Sequence, residues 1–155
     1  MKKTAFIQLS RATWKQNGFK KIVSNGPETA LAALYIISAP NGNMTGVYEM
    51  TKFDLQRHTG ISDSQANESL RHLCDIGFCE YDHDEQYIWE KGAIQRHLGK
   101  CASPQQLKGI INNFVRLQEE DAPFVQSAFE LFTKNYPGSE KFVETFIEKQ
   151  SYNSS

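Results

Sequence analysis

Cysteine is scarce in this chain and odd in number, three among 155 residues. So small a set gives no disulfide framework; Cys74, Cys79 and Cys101 read as reduced thiols in a cytoplasmic setting. No stretch approaches the roughly 18 apolar residues that a membrane span requires. Lys2 and Lys3 are followed by no long apolar core, which argues against a signal peptide. Phosphate-cradling glycine loops and a serine in a nucleophile elbow are also missing. Acid is absent from residues 1–25, which carry Lys2, Lys3, Arg11, Lys15, Lys20 and Lys21. With a net charge of only −1, the remainder is acidic. A basic arm on an acidic body suits a phosphate backbone without raising the overall isoelectric point. A solvated lysine-rich face fits the same charges.

What is present is a set of apolar stripes separated by well-formed caps. Residues 1–25 hold Phe6, Ile7, Leu9, Trp14, Phe19, Ile22 and Val23 without a clean period, and read as a short ordered arm packed on the segment after it. Gly26-Pro27 starts a helix with proline at its first position, on which Ala30, Leu31, Leu34 and Ile37 recur at helical spacing. Pro40 and Asn41-Gly42 stop it. Val47-Tyr48 forms a short strand. Thr51 then caps a helix, with Asp54 at the capping-box position and Met50 and Leu55 at the staple positions. Gly60 stops that helix. Ser62 caps the next, with Gln65 three residues on and Ile61 and Ala66 as its staple. Its inner face is Ala66, Leu70, Leu73 and either Ile76 or Cys74, and Gly77 ends it.

Two capped helices joined by His58-Thr59-Gly60-Ile61-Ser62 predict a helix-turn-helix. Strands over 78–81 and 86–90 flank Asp82-His83-Asp84-Glu85 as a hairpin. The predicted fold class is therefore mainly α with a small β-sheet: a winged helix-turn-helix over residues 1–100, followed by C-terminal helices over 101–150. Ser103-Pro104-Gln105-Gln106 caps the first of these, with Leu107, Ile110, Ile111, Phe114 and Leu117 as its stripe. Pro123 opens the second, with Phe124, Val125, Ala128, Phe129 and Phe132; Pro137-Gly138-Ser139 breaks it. Phe142, Val143, Phe146 and Ile147 form a third stripe, and the tail SYNSS is expected to fray. Amphipathic stripes need cover. They either pack on the first domain or form a dimer or partner surface.

In a helix-turn-helix the second helix enters the major groove. Its candidate contacts here are Ser62, Ser64, Gln65, Asn67, Glu68, Arg71 and His72. Arginine reads guanine, and asparagine or glutamine reads adenine. Gln65 has a competing task in the cap, so Arg71, Ser64 and Asn67 rank above it. The hairpin tip is acidic and is repelled by phosphates, which leaves Arg11, Lys15, Lys20 and Lys21 as the expected backbone contacts. His72, Cys74, Cys79 and His83 carry metal-ligand chemistry, but they span a helix end, a turn, a strand and a hairpin tip, so no metal site is expected. Gly46-Val47-Tyr48 is also one half of a GIY-YIG nuclease signature. The second half should lie about ten residues on; the capped helix from Thr51 stands there instead, and Tyr87-Ile88 lies far downstream.

The run ALAALYIISAPNGNMTGVYEMTKFDLQRHTGIS, then LRHLCDIGFCEYDHDEQYIWEKG, resembles the winged-helix replication initiators and replisome organisers of phages and mobile elements, akin to the DnaD amino-terminal domain. The matching positions are Ile36 to Pro40, Gly46-Val47-Tyr48, Thr59-Gly60-Ile61, Leu70 to Leu73, Gly77-Phe78, Tyr81-Asp82 and Ile88-Trp89. Trp14 resembles the tryptophan before that group's first helix. The resemblance spans roughly residues 4–100. It implies binding of double-stranded origin DNA as a dimer or higher assembly, with a helicase or helicase loader as a partner of some members; the expectation for this chain is a homodimer, and the missing catalytic motifs add that it is not an enzyme and takes no cofactor. The acidic hairpin departs from the basic wings that grip DNA. A transcriptional repressor of the same fold, or a replisome protein-interaction module that does not bind DNA, fits the same pattern.

Overall fold

The structure, a computed structural model, describes residues 7–144 and 146. Lys2, Lys3 and Phe6 of the expected arm, Ile147 of the third stripe and the SYNSS tail lie outside the described residues. The chain is mainly helical, with one three-stranded antiparallel sheet among the described residues. A 3-10 turn at Arg11–Lys15 leads to α1 (Asn17–Val23) and α2 (Pro27–Ser38). Then come β1 (Val47–Glu49), α3 (Lys52–Thr59), α4 (Asp63–Asp75), β2 (Cys79–Asp82) and β3 (Tyr87–Glu90). Helices α5 (Ala93–Leu98), α6 (Pro104–Glu119) and α7 (Val125–Asn135) come next, with a 3-10 turn at Glu140–Phe142.

The sheet order is β1-β3-β2, with Tyr48 opposite Ile88 and Tyr81 opposite Ile88 on the other side. Strand alternation sends neighbouring side chains to opposite faces, and both faces of this sheet are covered. Tyr48, Cys79 and Ile88 join Ala32, Ala33, Leu55, Leu70 and Leu73 in one core under α1–α4. Val47 and Trp89 join Leu107, Ile110, Phe114, Phe129 and Phe132 in a second core under α6 and α7. The C-terminal helices thus bury their stripes against the sheet. Rings close that second core: Phe129 stacks on Phe146 with centroids 3.9 Å apart, and Phe114 meets Phe129 edge-on at 5.5 Å.

The caps form largely as expected. Ser62 and Gln65 make a reciprocal capping box, as do Ser103 and Gln106. Thr51 accepts from the Asp54 amide at 2.9 Å, but the Asp54 carboxylate faces Arg57 at 3.5 Å rather than reaching back to the cap. Gly60 adopts φ +77° and closes α3.

Four expectations need correction. Residues 1–25 include a true helix: α1 buries Phe19 and Ile22 against α2. Leu31 is 42% exposed; the buried face of α2 is Thr29, Ala32, Ala33, Ile36 and Ile37. Small alanines let α4 approach closely there, and the Thr29 and Ser69 hydroxyls meet across the contact at 3.2 Å. Pro123 sits in a turn ahead of α7, where Phe124 at φ +67° forms the N-cap. Helix α5 lies in a segment given no element from sequence.

Candidate nucleic-acid interface

Helices α3 and α4 meet through a three-residue turn, Gly60-Ile61-Ser62. Both staples are buried in the first core, Met50 with Leu55 and Ile61 with Ala66, which sets the angle at which each helix leaves its cap. The inner residues of α4 are Ala66, Ser69, Leu70 and Leu73. The outer face therefore carries Ser64, Asn67, Glu68 and Arg71, all exposed, as expected.

Each of these side chains already has a partner within the chain. Ser62 and Gln65 hold the cap, and Gln65 also reaches Glu28 at 3.3 Å. The Ser64 hydroxyl lies 3.2 Å from that of Ser62. Asn67 accepts from Lys52 through its carbonyl oxygen at 3.2 Å and donates to Asp63 through its amide nitrogen at 3.2 Å. Lys52 in turn pairs with Asp63 at 2.8 Å, so one cation ties the starts of α3 and α4 together. Arg71 is clasped on two sides: its guanidinium meets both Glu68 oxygens at 2.7 and 3.1 Å and Asp75 at 2.7 Å. These hydrogen bonds lower the Glu68 carboxyl from its ordinary pKa and raise the guanidinium's. The outer face of α4 thus sets Asp63, Glu68 and Asp75 against one arginine, and that arginine is occupied.

One end of the basic arm reaches α4. His72 approaches the backbone carbonyl oxygen of Lys21 through Nε2 at 3.2 Å, which brings the end of α1 against α4. Lys20 and Lys21 occupy the last turn of α1 and are exposed. Arg11 and Lys15 are exposed on the preceding 3-10 turn. Among the described residues, none of these four cations forms an ion pair with a carboxylate. On α3, Phe53 is 69% exposed beneath the Arg57 guanidinium, 6.0 Å from its ring centroid. Sequence reasoning passed over this pair and Lys52; a cation four residues after an outward aromatic on a helix was the available signal.

The acidic hairpin tip has a local task. Asp82 accepts from the amides of Asp84 and Glu85 at 3.0 and 2.8 Å, closing the turn, and His83 packs edge-on against Tyr81 at 4.8 Å. The other chemical motifs also resolve into local contacts. The buried Tyr48 phenol donates to the Ile36 carbonyl, and burial raises its pKa. His72 and His83 each face a partner other than the cysteines. Comparison of the chain with protein-family models, curated proteins and solved structures finds no match in any of the three, so the functional reading rests on this geometry. No described helix is long and apolar enough to cross a membrane.

Proposed function

We propose that this chain is a winged-helix protein that binds double-stranded DNA, acting in replication initiation of a phage, satellite or plasmid-like element. It works as a cytoplasmic binding protein rather than an enzyme. The order α2-β1-α3-α4-β2-β3, with the sheet ordered β1-β3-β2 and two capped helices at a left-handed glycine, supports the winged-helix reading. The observation that supports DNA binding is the approach of His72 on α4 to the Lys21 backbone carbonyl, which brings against α4 the end of α1 with Lys20 and Lys21, both without an ion-pair partner among the described residues. In this reading α4 enters the major groove, and Lys20, Lys21, Arg11 and Lys15 hold the flanking phosphates. Dimerisation is expected from the few base pairs that one such helix reads. A helicase or its loader is a further partner in that role. A repressor differs only in where its site lies.

A second reading has an observation of its own. The acidic clasp on α4 and the acidic hairpin tip favour a protein-interaction module whose partner is basic. Titration of the full chain with labelled duplex across salt concentrations separates the two. The DNA reading expects affinity to fall steeply as salt rises. Joint replacement of Lys20 and Lys21 by alanine lowers specific and non-specific binding alike. Flat salt dependence sinks this reading in favour of the second. Selection of bound duplexes from a random pool then gives the site and shows whether it is repeated.

A further inference from the structure

The end of α4 and the start of β2 bring two thiols together. Gly77, at φ +76°, turns the chain; its amide donates to the Cys74 carbonyl at 3.0 Å, and the Phe78 amide donates to the Leu73 carbonyl at 2.9 Å. This closed turn folds Cys74, in the last helical turn, onto Cys79, the first residue of β2, with the sulfurs 3.9 Å apart. Cys79 is fully buried and Cys74 only partly so, which makes Cys74 the nearer of the two to solvent.

We propose that Cys74 and Cys79 form an oxidisable dithiol that closes to an intramolecular disulfide under peroxide, with Cys74 reacting first and Cys79 resolving. The sulfurs have about 1.9 Å to travel to reach bonding distance. In the first step the Cys74 thiolate attacks one oxygen of hydrogen peroxide. The O–O bond breaks, hydroxide leaves and takes a proton to become water, and Cys74 becomes a sulfenic acid. In the second step the Cys79 sulfur attacks the sulfenic sulfur. The S–S bond forms, the S–O bond breaks, and the hydroxyl leaves with the Cys79 proton as a second water. Two thiols lose two electrons in total, and one peroxide is reduced to two waters. The product ties the last turn of α4 to the edge strand β2. None of this depends on DNA binding.

The surroundings favour this order of attack. The hydrogen bond from Cys79 holds the Cys74 thiol down to about 7. Burial opposes that, the Tyr81 amide adds to it, and Asp75 on α4 and Glu80 on β2 oppose it. The Cys79 thiol is pushed up, first by the same bond and then by burial, with Glu90 adding to the rise and Lys91 opposing it. The exposed Cys101 serves as an internal control.

The test treats the reduced full-length chain with hydrogen peroxide, unfolds it in an alkylating agent, and reads intact mass and linked peptides. The expected product carries one alkyl group, on Cys101, and apart from that group is about 2 Da lighter than the reduced chain, with Cys74 and Cys79 protected and full reversal by dithiothreitol. Its rate climbs with pH through about 7 rather than through the ordinary cysteine value near about 8.5. Cys79→Ser traps a sulfenic acid at Cys74 that a dimedone probe labels. The wild-type readout needs no variant, so a misfolded mutant does not blunt it. Disulfide-linked dimers through Cys101 as the only product, or irreversible oxidation of Cys74 without a Cys74–Cys79 bond, overturn the proposal.

Discussion

Gly46 is caught between two neighbours. Its φ of +79° belongs to the left-handed region, and its carbonyl accepts from the Glu90 amide at 2.8 Å. A Cβ here would strike the Glu90 carbonyl oxygen and sit 2.8 Å from the Ala93 Cβ. Backbone and side-chain space therefore forbid the same substitution for separate reasons. Gly46→Ala is expected to cost at least about 2 kcal/mol, the strain of an unfavoured φ plus the clash, read as a lower denaturant midpoint at unchanged slope. At Gly60, where φ is also positive but no atom lies within 4 Å of the same position, alanine costs less. The comparison separates strain from crowding. It also accounts for the glycine in Gly-Val-Tyr as a packing requirement, with Tyr48 anchored on the Ile36 carbonyl.

At the scale of elements, one ion pair with a buried carboxylate and a partly exposed arginine fastens α5. Glu90 ends β3 at 3% exposure, and its carboxylate takes both terminal nitrogens of Arg96 from the next helix. Removing one partner of a buried pair strands the other charge. Arg96→Met should therefore lose about 3–5 kcal/mol, whereas joint replacement of Glu90 and Arg96 by Gln and Met should recover much of that. Thermal melts of the two variants decide it, and equal losses in both would refute the pairing as the cause. This link was illegible in sequence because it joins a strand to a helix of six residues with no cap of its own. The boxes at Ser62–Gln65 and Ser103–Gln106 were legible because every group in them lies within four residues. Helix α2 fell between these cases: apolar residues surround it, so periodicity could not choose its face, and the alanines at 32 and 33 were chosen by the approach of α4.

Across the whole molecule, the sheet separates two cores, while charge is divided between a basic segment at 11–21 and the acidic outer face of α4. The apolar stripes that announced α6 and α7 were plain in sequence. Their destination on Val47 and Trp89 was not, since a stripe shows that a face needs cover without showing what covers it. The same limit applies to Arg71: its position on the outer face was readable, but the hold of Glu68 and Asp75 required side-chain geometry. That hold yields the sharpest prediction for the DNA reading. In Glu68→Gln with Asp75→Asn, two carboxylates leave the face and Arg71 is released from charge pairing. Duplex affinity at low salt should rise about tenfold, and the salt slope should steepen by about one unit as the freed guanidinium meets a phosphate. Adding Arg71→Ala to that variant should cancel the steeper slope and leave only the gain from lost repulsion. If the double variant binds duplex no better than the parent, α4 does not face DNA, and its acidic surface is better matched to a basic protein partner.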